Sequence, residues 1–181
     1  MKKLLVAIII TICTFSFANA QVSFSHAVGA KYFLATNSDL DYSAVGILYS
    51  PRLNVVELGD NSTVSIGTHI GLAFQGNSRD GSSSFVYDLP IVAEYNFGST
   101  SNRDNDESFG FYVGGGYSIH NSSDFYEAIS GPVVGGGVRF MIVEKPIDIN
   151  FSYLISTRTL VGNRSIDQSI LGIGVQYTLG F

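Results

Sequence analysis

The chain has one cysteine, Cys13, in 181 residues, and no tryptophan. A single thiol excludes an internal disulfide framework and any thiolate-rich metal centre. Charge is also sparse: 14% of residues are charged, with 10 Lys and Arg against 15 Asp and Glu, a formal net charge of −5. Nucleic acid demands a concentrated basic surface, so no nucleic-acid partner is expected. Only four prolines are present, with no Pro-rich stretch to mark a linker. A membrane-spanning helix is excluded as well. The most apolar stretch, Leu4–Ile12, falls far short of the ~20 residues that a spanning helix needs.

That stretch has another reading. Met1-Lys2-Lys3 is a basic start, Leu4–Ile12 an apolar segment, and Ala18-Asn19-Ala20 a small-x-small cleavage site. Residues 1–20 are therefore expected to be a signal peptide, with Gln21 the first mature residue. Cleavage removes Cys13, and losing Lys2 and Lys3 moves the charge from −5 to −7. Ile12 stands before Cys13 where a lipidation site wants a small residue, so a lipid anchor is not expected. Residues 21–181 suit a single domain.

What the chain does have is 20 Gly, 13 Phe and 10 Tyr, arranged in alternation. In 172–181 (GIGVQYTLGF), Ile173, Val175, Tyr177, Leu179 and Phe181 are large and apolar, and the residues between them are small or polar. Such alternation gives a β-strand one oily face and one crowded or wet face. The same period-2 pattern between Gly/Asn/Ser/Asp clusters predicts eight strands, at Val22–Ala35, Tyr42–Val55, Thr63–Gln75, Phe85–Phe97, Phe109–His120, Pro132–Ile142, Ile147–Ser156 and Asp167–Phe181. Each reaches the ~9–11 residues of a tilted membrane strand. An even number of long antiparallel strands fits a closed barrel with both termini at one end.

Side-chain volume decides which face is outside. One set of faces carries Phe24, Tyr32, Tyr49, Phe74, Phe85, Tyr95, Phe111, Tyr117, Phe151 and Tyr177 with many Val, Ile and Leu. The other carries Gly29, Gly46, Gly67, Gly71, Gly110, Gly114, Gly116, Gly135, Gly137, Gly172, Gly174 and Gly180. An eight-stranded barrel is only just wide enough inside for side chains to fill. It could not hold the aromatic set, so the apolar face must point outward, where it needs lipid. Phe33, Leu48, Val92, Tyr112, Met141, Leu154 and Ile170 fall on the inner face as packing, and His26 falls on the outer one.

This pattern resembles the small eight-stranded outer-membrane β-barrel proteins of bacteria, of the OmpA transmembrane domain and OmpX type. The resemblance lies in strand number and patterning rather than in a diagnostic motif. Tyr177, Leu179 and Phe181 resemble the C-terminal signal that the outer-membrane assembly machinery reads. The implied fold class is an all-β, eight-stranded, antiparallel, up-and-down transmembrane β-barrel. The implied setting is the bacterial outer membrane, with lipid and the assembly machinery as partners, a monomeric state and no cofactor.

The inner face also gathers Lys31, Arg52, His69, Asp88, Glu94, Arg139 and Asp148, with Asn150 and Gln176. Leaving His69 aside, cations and carboxylates balance. An unpaired charge in a narrow lumen costs several kcal/mol, so a closed network of Lys31, Arg52, Asp88, Glu94, Arg139 and Asp148 is expected. It can serve as an ionic plug or as a gated polar path. Strand number favours the plug; a small ion-conducting channel is the alternative.

Chemistry is less well supported. Some barrels of this size modify lipid A, but their pattern of His and Ser two apart on a lipid-facing strand is absent, since Phe24 and Val28 flank His26 at that spacing. His120 with Ser122, Ser123 and Asp124 is a loose match to a loop-borne site. Asp104, Asp106 and Glu107 lack the Gly and distal Glu of a calcium loop. The expected role is non-enzymatic: envelope structure, or surface contact through short loops near 36–41, 76–84, 121–131 and 157–166. With the termini periplasmic, the polar segment 99–108 falls on the side where turns are normally short.

Overall fold

A computed structural model describes residues 22–36, 43–76, 83–102, 105, 107–123, 128–143, 145–161 and 164–180, with the side chains of 36, 156–161 and 164–168 left aside. The expected signal peptide, Phe181 and the tips of the predicted surface loops lie outside the described residues. The strands are β1 (Ser23–Thr36), β2 (Ser43–Glu57), β3 (Ser62–Gly67), β4 (Ile70–Gly76), β5 (Ser83–Gly98), β6 (Phe109–Ser122), β7 (Ile129–Ile142), β8 (Lys145–Val161) and β9 (Arg164–Gly180). Every pairing is antiparallel between neighbours, and β1 pairs with both β2 and β9, which closes the sheet. Because β3 and β4 share one place between β2 and β5, the ring has eight positions. Closure leaves no free edge, so the wall's backbone groups can pair from strand to strand without water.

The predicted single strand Thr63–Gln75 is thus two strands, interrupted at Thr68 and His69. Two prolines in neighbouring strands explain the break. The registers Arg52↔Gly67 and Tyr49↔Ile70 bring Pro51 opposite Thr68, and Gly67↔Val92 with Gly71↔Asp88 bring Pro90 opposite His69. Neither proline has an N–H to give the ladder. The other boundary change is at β8 and β9, each 17 residues long, so most of the predicted loop 157–166 is a hairpin extension. A strand of that length exceeds the tilted span of a bilayer.

Burial alternates along the strands as the pattern requires. Ile91 is 69% exposed, Ile47 63% and Phe74 61%, whereas Lys31 on the inner face is 2% exposed. Outward aromatics pair across strands, with Phe74–Phe85 ring centroids 5.5 Å apart and Phe97–Phe111 5.4 Å. In water such a continuous apolar surface would drive association. Facing hydrocarbon, it is the surface that holds a barrel in place.

Inside, glycine makes room. A Cβ on Gly71 would sit 2.5 Å from Phe33 Cζ, and one on Gly172 2.5 Å from Lys31 Cε. Phe33, Ala44, Ala73, Val86, Ile129, Leu154 and Ile170 use that space to form a small apolar core across the lumen. They come from the strand ends farthest from the termini. Of the inner apolar set, Met141 departs from expectation: it stands near the end of β7 and is 37% exposed.

Candidate functional site in the lumen

Beneath the apolar layer, toward the end that carries the termini, the lumen is ionic. Lys31 Nζ donates to Asp88 Oδ2 at 3.1 Å, and Ser118 Oγ donates to Asp88 Oδ1 at 2.9 Å. Lys31 also lies 4.9 Å from the ring centre of Phe33, so one side chain joins the two layers. Arg139 Nε donates to Asp148 Oδ2 at 3.2 Å, while its guanidinium stacks 4.4 Å from the ring centre of Tyr112. Tyr112 in turn donates to Asp148 Oδ1 at 3.3 Å.

Glu94 and Arg52 do not pair as the balanced set suggests. The partner of Glu94 is His69, whose Nε2 lies 2.7 Å from Glu94 Oε1 and whose Nδ1 lies 2.9 Å from Ser50 Oγ. Arg52 is held by neutral acceptors instead: Ser25 Oγ at 3.0 Å, Asn96 Oδ1 at 2.7 Å and the Thr100 carbonyl at 2.7 Å. Asn96 Oδ1 also accepts from Arg139 Nη2 at 2.8 Å, which makes it the junction of the two arginines. Among the described residues, the lumen's ion pairs are Lys31–Asp88, Arg139–Asp148, His69–Glu94 and His120–Asp88.

Ser50, His69 and Glu94 have the spacing of a nucleophile, a base and an orienting acid. The direction of the hydrogen bonds is wrong for that use. Gln176 Nε2 donates to Asp148 Oδ2 at 3.1 Å, so its carbonyl Oε1 faces Ser50 Oγ at 2.6 Å and takes the hydroxyl proton. Ser50 can then only accept from His69. The cavity beside it, about 20 Å³, holds a water or two and no acyl substrate.

The segment after β5 folds inward at the terminal end. The chain turns at Gly98 and Thr100 with φ of 72° and 55°, the left-handed region that glycine enters freely and threonine does not. A Cβ on Gly98 would also meet the Phe109 carbonyl at 2.3 Å. Ser99 and Ser101 are 0% exposed, Thr100 and Asn102 7%. Arg52 holds the Thr100 carbonyl, Thr63 Oγ1 donates to that of Ser101 at 2.7 Å, and Asn102 Nδ2 donates to that of Asp60 at 2.6 Å. Outside this tuck, Asn61 Nδ2 donates to Glu107. The long polar turn is therefore partly a cap inside the barrel mouth; Asp104 and Asp106 lie outside the described residues.

The structure places Lys31, Arg52, His69, Asp88, Glu94, Arg139, Asp148, Asn150 and Gln176 in the lumen, from buried to nearly so. His120 stands elsewhere than expected. It belongs to β6 rather than to a loop, is fully buried, packs 5.1 Å from the Phe33 ring and faces Asp88 Oδ1 at 3.4 Å. A surface site built on it is therefore ruled out. Asn96 and the Thr100 carbonyl were not anticipated. Asn96 shares the inward parity of Glu94, a signal available in the sequence; the carbonyl has none. Tyr177 and Leu179 point outward, 38% and 50% exposed.

A closed antiparallel ring, apolar outside and ionic within, defines a small β-barrel of the bacterial outer-membrane type. Solved structures share it. Neisserial surface protein A (NspA) is 16% identical with a TM-score of 0.57, over 90% of this chain and 100% of that one. Ail, the attachment invasion locus protein of Yersinia pestis, is 13% identical with a TM-score of 0.54, over 86% and 97%. Ail in complex with the heparin analogue sucrose octasulfate is 14% identical with a TM-score of 0.51, over 88% and 100%. At these identities the likeness is one of fold. No protein-family profile matches the chain, and no curated protein matches it in sequence.

Proposed function

We propose that the protein is a non-enzymatic integral protein of the bacterial outer membrane with a closed lumen, acting as an envelope element or through surface contact by its loops. The observation that carries this reading is the use of the lumen's polar groups on one another. Lys31, Asp88, Arg139, Asp148, His69 and Glu94 are bound to each other, beneath the apolar layer and behind the 99–102 cap. The expected signal peptide supplies the export that this location requires.

The surface contact would differ in chemistry from that of Ail with a polysulfated sugar. The predicted loops of this chain carry Asp39, Asp41, Asp80, Asp124 and Glu127 against Arg79, Arg158 and Arg164. An acidic rim repels polyanions, so neutral or cationic partners suit it. The location is tested by fractionation: protein starting at Gln21 should be recovered with the outer membrane and run faster on gels unboiled than boiled. A soluble periplasmic product without a mobility shift refutes the proposal.

A further inference from the structure

Counting protons in the lumen shows a charge without a counter-charge. Gln176 is oriented by Asp148, so Ser50 donates to Gln176 and accepts from His69 Nδ1, which must carry a proton. The 2.7 Å contact between His69 Nε2 and Glu94 Oε1 needs a second proton between them. Imidazolium with carboxylate, or imidazole with carboxylic acid, gives the same result: the pair is neutral as a unit. Lys31 cancels Asp88 and Arg139 cancels Asp148. A proton on His120 could only add positive charge. Arg52 remains, 8% exposed and held by a serine, an asparagine and a backbone carbonyl. Among the described residues, one cation is thus left over inside the barrel once the pairs are counted.

A receptor lies beside it. A polar cavity of about 20 Å³ is lined by Arg52, Arg139, His69, Ser50, Gln176 and Thr178 among others. Arg139 is 3% exposed, and among the described residues its Nη1 has no hydrogen-bond partner. The carboxylates that also border the cavity are already engaged: Asp148 by Arg139, Gln176 and Tyr112, and Glu94 by His69. Two guanidiniums meeting on one Asn96 oxygen repel each other, a repulsion that Glu94 and Asp148 offset in part and a nearby anion would relieve further. The volume admits one or two waters or a single ion of similar size, and no oxyanion larger than that.

We propose that this cavity is a binding site for one halide-sized anion, chloride under ordinary conditions, held by Arg139 Nη1 and neutralising Arg52. The site needs only the folded barrel, so it stands or falls independently of whether the lumen conducts. It is tested by refolding the full mature chain at constant ionic strength in sodium chloride or sodium isethionate, whose anion is too large to enter. Chloride at tenfold excess over its dissociation constant should raise the midpoint of the heat-induced mobility shift by roughly 3–6 °C. Arg52→Gln removes the extra charge while keeping a donor for Asn96, and the chloride effect should vanish in it. Crystals grown in sodium bromide should show one anomalous peak beside Arg139 Nη1, a measurement that stands even if Arg52→Gln does not fold. Equal midpoints in the two salts, an equal chloride effect in the variant, or a bromide-free cavity each overturn the proposal.

Discussion

Arg139 joins several parts of the lumen: it pairs with Asp148, stacks on Tyr112 and shares Asn96 with Arg52. Arg139→Ala strands Asp148 at 2% exposure with only Gln176 and Tyr112 as donors. Breaking a buried pair from one side typically costs about 3–5 kcal/mol. The exposed Lys145→Ala should stay within about 0.5 kcal/mol. Urea titrations of the folded band measure both. Comparable midpoints for the two variants would show that the lumen is solvated enough to tolerate a lone carboxylate. The inward placement of Arg139 and its fellow charges was readable from parity alone, because a strand has only two faces. Their partners were not. Which inward residue of one strand meets which of another depends on the stagger around the ring, and no local pattern encodes that. Arg52 therefore finds Asn96 and a backbone carbonyl rather than the expected carboxylate.

At the scale of elements, the strands were legible because the apolar period runs unbroken through each. The break between β3 and β4 was hidden for the converse reason: the pattern in 63–75 is regular, and the cause sits in Pro51 and Pro90 of other strands. The cap at 99–102 was hidden too, since polar residues that turn inward look in sequence like polar residues in a loop. Its burial is testable through cysteine, as the mature chain should have none of its own. Ser101→Cys, at a fully buried position, should react with a hydrophilic thiol reagent at least roughly tenfold more slowly than Val143→Cys, at a turn residue 87% exposed. Equal rates would mean that the cap spends much of its time outside. β9 carries another element-scale prediction. If the alternating Tyr177, Leu179 and Phe181 form the assembly signal, deleting Phe181 should lower the yield of assembled barrel and raise that of degraded protein in cells. Normal assembly at native expression would remove the terminal aromatic from that role.

For the whole molecule, the closed lumen we propose rests on two different layers in series. At the terminal end Ser99–Asn102 are buried and tied to Arg52, Thr63 and the Asp60 carbonyl. At the other end stand the apolar side chains of Phe33, Ile129, Leu154 and Ile170, with His120 packed against Phe33. Between them lie cavities of about 20 Å³ bordering His69, each with room for a water or two. A salt-bridge gate alone could open by exchanging partners; an apolar layer has no partner to exchange. Planar bilayers containing the purified barrel should therefore show no stable current. Deleting 99–108 should leave that unchanged, because the apolar layer remains. Conductance should appear only when the deletion is combined with Phe33→Gly and Ile129→Gly. Steady ion-selective current from the wild type would favour the small-channel reading, and current from the deletion alone would show that the apolar layer is not a barrier.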